Sequence, residues 1–221
     1  MANMETTACD LLQDNVAAWD QVADRVESTF PVDALGLERH VRPQDRVLDL
    51  GCGNGRVISI LYNRGVRRVT GCDPSARMCE FARRRNPHTE ILWLANPRGL
   101  GMLPGPFDTA LLVGVLSSVV PLTERRALVD QIGGLVRQNG VIVVGDFGCS
   151  RSRPYADRYR SAVAEPRTFR TAEGVLIHHF TQRELQDLLA PAFNVVESRI
   201  VAARTIHGRL LPGHVLVGRR K

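Results

Sequence analysis

Short apolar runs alternate with amphipathic stretches over most of the chain. Residues 47–50 form one such run, and residues 68–72, 91–94, 108–113 and 141–145 form four more of strand length. Between them the apolar spacing switches to that of helices. Residues 55–63 predict a helix that stops near Gly65. Residues 75–85 predict another, opened by Pro74 and burying Met78, Cys79 and Ala82. A third is predicted to start on a Thr123 cap and run to Val136, with Leu128, Ile132 and Leu135 on one face. Asn139-Gly140 predicts a turn before the fifth strand. Five apolar strands separated by helices predict a mostly parallel sheet with helices on both faces.

The two ends depart from this alternation. Within residues 1–40, Val16, Trp19, Val22, Ala23 and Val26 recur at helical spacing, so an N-terminal helical cap is expected over the ligand end of the sheet. Residues 41–221 are expected to form the main domain. Inside it, residues 147–180 are too rich in polar and aromatic residues for a plain connector, and read as a lid insertion. Thr181 and Glu184 then make a capping box for a helix to about Leu189. Residues 193–199 and 214–218 predict a closing antiparallel pair, joined by a long loop around 208–212.

Composition narrows the class. The chain has 221 residues, 44% of them hydrophobic, which is enough to bury a core without disulfide or metal staples. No apolar stretch reaches membrane-spanning length. The N-terminus lacks the basic-then-apolar pattern of a secretory signal, so the cytoplasm is expected. Cys9, Cys52, Cys72, Cys79 and Cys149 make no CxxC pair, and no histidine cluster has ligand spacing, so no metal is expected. The net charge of +6 comes almost wholly from arginine, Lys221 being the only lysine. Such a surface attracts acidic partners, but no basic stripe interleaved with aromatics points to RNA.

The strongest chemical signal is Val47-Leu48-Asp49-Leu50-Gly51-Cys52-Gly53-Asn54-Gly55. Three alternate glycines after a strand permit a sharp turn and close approach of a ligand to the backbone. A pyrophosphate site wants GxGxxG, with its third glycine later. That spacing argues against a nicotinamide oxidoreductase. Asp49 inside the strand end suits a cationic ammonium. Asp73, closing the second strand, can accept from both hydroxyls of a ribose.

This set resembles the class I S-adenosylmethionine-dependent methyltransferases. The likeness runs over about residues 42–146, and the closing strands match the family's seven-stranded, Rossmann-like sheet with a reversed last strand. It implies S-adenosylmethionine as donor and S-adenosylhomocysteine as product. Gly51, Cys52, Gly53, Asn54 and Gly55 would lie along the donor's methionine part, with Asp49 at its ammonium. Asp73 would take the ribose, and Pro74 and Met78 the adenine side. Relatives often place an acid after the third strand. Here Ala95 and Asn96 stand there, and Asn96 would offer an amide instead. Gly114 would approach the methionine part, Val115 and Leu116 would wall the methyl path, and Trp19 would cover the site.

For the acceptor, residues 147–180 supply the candidates. His178 or His179 would act as general base, and in an extended segment only one of them faces a pocket. Asp146 would orient the acceptor or the base. Tyr155 and Tyr159, four apart, would line an aromatic pocket, and Arg151 and Arg153 would meet an acidic group. No Asn-Pro-Pro-Tyr-like motif follows the fourth strand. The insertion resembles that of small-molecule methyltransferases, so a nitrogen or oxygen of a metabolite, as in secondary metabolism, is the expected acceptor. RNA or protein is the alternative. A non-catalytic binding protein is opposed by the intact donor residues. A monomer or homodimer is expected.

Overall fold

The computed structural model describes residues 8–25 and 29–221. Its strands are β1 (Arg46–Leu50), β2 (Arg68–Asp73), β3 (Glu90–Trp93), β4 (Phe107–Val113), β5 (Val136–Phe147), β6 (Thr168–Arg170), β7 (Leu176–His178), β8 (Phe193–Arg204) and β9 (Leu210–Arg220). Its helices are α1 (Ala8–Val22), α2 (Leu37–His40), α3 (Arg56–Asn63), α4 (Ala76–Arg85), α5 (Leu122–Leu135), α6 (Tyr155–Arg160) and α7 (Gln182–Leu189). Seven strands make one sheet in the order β3-β2-β1-β4-β5-β9-β8. The first five are parallel, and β9 runs antiparallel between β5 and β8. β6 and β7 form a separate hairpin.

The strand pleat explains why β4 is apolar throughout. Ala110 and Leu112 enter the core under α5 and α7, while Leu111 and Val113 enter the opposite core with Val57, Ile58 and Leu61 of α3. Each leucine sealed this way contributes about 1.5–3 kcal/mol. The capping box is present: Thr181 accepts from the Glu184 amide, and Glu184 accepts from the Thr181 amide.

Several boundaries differ from the sequence expectation. Ser75, not Pro74, caps α4, its hydroxyl accepting from the Met78 amide at 3.1 Å. α5 starts one residue before Thr123, behind Pro121, with no side-chain cap. Asn139-Gly140 is not a turn between elements. It belongs to a bulge inside β5, where Phe107 pairs with Val136 but Thr109 already pairs with Val141. Asn139 takes a φ of 62° there. The last two strands are longer than expected and close on a tighter turn, with Thr205 N donating to Arg209 O at 2.9 Å. Val26, expected on the first helix, lies outside the described residues.

The chain reverses direction across the sheet between β1 and β4. Such a switch point leaves a crevice at the carboxyl ends of the strands. Asp49, Asp73 and Gly114 all lie at these ends, and α1 crosses above them. Among the described residues no helix is long and apolar enough to cross a membrane.

Candidate functional site

The loop after β1 is a row of left-handed turns. Gly51, Gly53 and Gly55 have φ of 65°, 52° and 80°, a conformation that side chains resist by about 1–2 kcal/mol each. Gly51 also has no room: a Cβ there would sit 2.6 Å from Val115 Cγ2. Gly53 differs, since a Cβ built on it meets nothing within 4 Å. The space beside its backbone belongs to a cavity of about 150 Å³.

Two buried acids define that cavity. Asp73 braces the loop, with Oδ2 accepting from Gly53 N and Oδ1 from Ser75 N, both at 2.9 Å. A carboxylate has about four acceptor positions, so each oxygen keeps a lone pair for a hydroxyl. Burial raises its pKa to about 6 despite the two amides. Asp49 is harder to satisfy. It is 1% exposed, and its Oδ2 is buried with no hydrogen-bond partner among the described residues. Burial, then the nearby Asp73 charge, pushes its pKa up to about 8, with Arg56 opposing. An unpartnered buried carboxyl next to an open glycine backbone fits a ligand that brings a cationic amine, and Asp73 fits its diol.

Trp19 of α1 roofs the cavity, while Pro74, Met78, Cys52 and Asn54 line its walls. Gly114 and Val115 line it too, but Leu116 is in the core. Ala95 and Asn96 are exposed and outside the lining. The expected substitute for an acid after β3 is therefore not at this wall.

A second cavity, of about 120 Å³, adjoins the first, sharing Trp19, Gly114 and Ser118. Phe147, Tyr155, Phe169 and His179 are its aromatic walls. The insertion thus carries out the expected division of its two histidines. His179 faces this cavity, its Nδ1 at 2.7 Å from Tyr159 Oη. His178 lines neither cavity. Its Nδ1 meets Thr168 Oγ1 at 2.8 Å in a buried network with Glu165 and Arg125. Burial pushes the pKa of each histidine down to about 3, with Arg158 adding to the effect at His179 and Arg125 at His178. His178, expected as a candidate base, is instead held by Thr168 inside the insertion and reaches neither cavity.

Three more expectations change. Asp146 is fully buried and lines neither cavity. Its oxygens accept from Ser117 N and Phe147 N, each at 2.9 Å, so it braces the loop after β4 instead of touching an acceptor. Arg151 and Arg153 are exposed and outside the lining, whereas Arg158 of α6 lies in it, because α6 turns that face inward. Tyr155 lines the cavity, but Tyr159 stands behind His179.

Two polar residues of α1 are essential to this assembly and were not singled out in the sequence. Asn15, 1% exposed, donates to Ser118 O at 2.7 Å and Leu176 O at 3.0 Å, and accepts from Leu176 N at 2.7 Å. It ties the roof to the loop after β4 and to the insertion. Asp20 accepts from Ser75 Oγ at 2.6 Å and from Arg77 N at 3.1 Å, fixing the roof to the start of α4. The only sequence signal was that each interrupts a helical apolar face.

Known proteins resemble this chain in part of its sequence and in its fold. A family model described as a methyltransferase domain matches residues 47–140. EEF1A lysine methyltransferase 4 of Bos taurus is 32% identical over 115 residues, 48% of this chain and 45% of that protein. Demethylmenaquinone methyltransferase of Beutenbergia cavernae is 29% identical over 156 residues, 66% of this chain and 63% of that protein. Other matches include tRNA U34 carboxymethyltransferases of Shewanella. The chain thus spans less than two thirds of the curated relatives it matches. Among solved structures, Burkholderia thailandensis 1,6-didemethyltoxoflavin-N1-methyltransferase, with bound 1,6-didemethyltoxoflavin and S-adenosylhomocysteine, superposes with a TM-score of 0.68 at 22% identity. That match covers 96% of this chain and 88% of the other.

Proposed function

We propose that this chain, which carries a class I S-adenosylmethionine-dependent methyltransferase domain, transfers a methyl group to a nitrogen or oxygen of a small-molecule metabolite. The observation that carries the acceptor reading is the aromatic cavity that adjoins the donor cavity across Gly114 and Ser118. An acceptor held there reaches the donor only through that boundary, which suits a compact molecule better than a folded macromolecule.

S-adenosylmethionine, when bound, supplies a methyl on a cationic sulfur and leaves as neutral S-adenosylhomocysteine. The chain's own residues position and exclude. Asp49 holds the ammonium and Asp73 the ribose hydroxyls, while the Gly51–Gly55 backbone follows the methionine part. Pro74 and Met78 bound the adenine side. Trp19 roofs both cavities and keeps water from the line between them. The aromatic walls hold a flat acceptor in one orientation, so that its nucleophile attacks in line with the methyl, the sulfur keeps the pair of the broken bond, and the acceptor's proton goes to solvent. No residue needs to form a covalent intermediate. The insertion 147–180 serves as the acceptor lid.

Calorimetry with S-adenosylhomocysteine and with NAD tests the donor; binding of NAD alone would overturn it. A radiolabelled methyl screen over phenols, amines, aromatic acids, tRNA and protein tests the acceptor. The matched EEF1A lysine methyltransferase and tRNA U34 carboxymethyltransferases favour a macromolecular acceptor as the second reading. Label found only in tRNA or protein would establish it instead.

A further inference from the structure

Tyr159 Oη lies 3.1 Å from Ser150 N and 2.7 Å from His179 Nδ1. The amide can only donate, so Oη spends one lone pair on it. Two arrangements remain for the pair with His179. In one, the phenol proton goes to Nδ1. In the other, Nδ1–H donates to Oη, and the phenol proton has no acceptor among the described residues. The second leaves a part-buried donor unmade, which disfavours it by about tenfold or more. The first requires that an uncharged imidazole carry its proton on Nε2. Burial among Phe147, Tyr155 and Phe169 keeps the ring uncharged. Nε2 makes no hydrogen bond among the described residues and is not sealed, and the ring lines the inner cavity.

Arg158 lines the same cavity. Its guanidinium lies 5.5 Å from the Tyr155 ring centre and 5.3 Å from that of Phe169, with no carboxylate partner among the described residues. Trp19 Nε1, at the boundary of the two cavities, is a buried donor without a partner among the described residues. The one carboxylate in the lining, Glu173, is already held by His207 at 2.9 Å. The cavity therefore offers aromatic walls and unused donors.

We propose that Tyr159 fixes His179 as an Nε2–H donor, and that His179 with Arg158 selects an aromatic acid as the acceptor through its carboxylate. Tyr159 is then a positioning residue, and His179 a specificity determinant instead of a base. The substrate class rests on the methyl-transfer reading above; the tautomer does not.

Nitrogen-15 NMR of the full chain with labelled histidine reads the tautomer directly. The expected spectrum shows His179 protonated at Nε2 from pH 6 to 8, and Tyr159→Phe turns it into a tautomer mixture. Protonation at Nδ1 in the wild type would overturn the proposal. Benzoate, benzyl alcohol and benzylamine then serve as matched probes, followed by the His179 and Trp19 signals. Benzoate is expected to bind about tenfold more tightly than the alcohol, the worth of one charge-assisted contact, and Arg158→Gln to remove that advantage. Benzylamine binding as well as benzoate, or benzoate leaving the His179 signals unmoved, would overturn the acid preference. S-adenosylhomocysteine binding, measured separately by calorimetry, reports on the donor site alone. Its failure would sink the methyl-transfer reading and leave the tautomer result standing.

Discussion

Replacing Asp49 with asparagine removes a carboxyl that the protein, before it binds a ligand, holds mostly protonated at neutral pH. Its pKa of about 8 comes from burial first and from Asp73 second. At pH 7 about nine tenths of the molecules carry that proton. An ammonium placed at Oδ2 favours the ionised form. Binding S-adenosylhomocysteine should therefore expel about 0.9 proton at pH 7 and about half a proton at pH 8. The deprotonation costs the wild type about 2.7 kcal/mol at pH 6 and about 1.4 kcal/mol at pH 7, and little above pH 8.5. The asparagine variant avoids that cost but loses a charge-assisted contact worth about 1.5–3 kcal/mol. At pH 6 the asparagine variant should thus bind between about twofold more weakly and about eightfold more tightly than the wild type, and at pH 8.5 about 10–100-fold more weakly.

The same proton governs the stability of the empty protein. The folded pKa is raised above the unfolded value, so between about pH 4 and pH 8 the folded state binds the extra proton. Stability from this group is full below the unfolded pKa and is lost as pH rises through about 8. Asp49→Asn should gain about 2–3 kcal/mol on the wild type between pH 6 and 8.5, read by urea unfolding. Calorimetry in two buffers of different ionisation enthalpy counts the released protons. Wild-type binding with no proton release at pH 7, or an asparagine variant with the same pH dependence, would refute the reasoning.

Other expectations follow from single contacts. Gly51→Ala drives a Cβ to 2.6 Å from Val115 and should cost about 2–4 kcal/mol in urea unfolding, the clash adding to the left-handed strain. Gly53→Ala meets nothing within 4 Å, so it should cost only the strain of about 1–2 kcal/mol, yet weaken S-adenosylhomocysteine by filling the cradle. Equal stabilities for the two variants would show that the loop relaxes around either methyl. Asn15→Leu leaves Leu176 N–H and two carbonyls unpaired beneath the roof and should cost about 2–4 kcal/mol; a loss under about 1 kcal/mol would mean the roof is held elsewhere. Iodoacetamide should label Cys9 and Cys149 in the folded protein and spare Cys52, Cys72 and Cys79, whose thiols are buried and pushed up. Mass spectrometry reads the count.

The glycine loop and its two acids were readable because their demands are local. Left-handed backbone at Gly51, Gly53 and Gly55 admits few residue types, so conformation is written directly as composition. Asp49 and Asp73 are placed by strands whose apolar runs announce them. The second cavity depends on partners far away in sequence. Asn15 reads only as a polar break in a helical apolar face until Leu176, 161 residues on, folds beneath it. His178 and His179 are neighbours in a motif, and only the pairing of β7 with β6 turns one to Thr168 and leaves the other at the cavity. Asp146 ends an apolar run much as Asp49 does. What separates them is that Ser117 and Phe147 amides satisfy Asp146, while Asp49 Oδ2 has no partner among the described residues. Two buried acids with similar sequence surroundings thus differ in what the backbone already gives them. That difference, not the acid itself, marks where a cationic ligand belongs. The same logic separates Arg158 from Arg151 and Arg153: charge alone does not make a binding group, but a guanidinium set over aromatic walls, with no carboxylate of its own among the described residues, does.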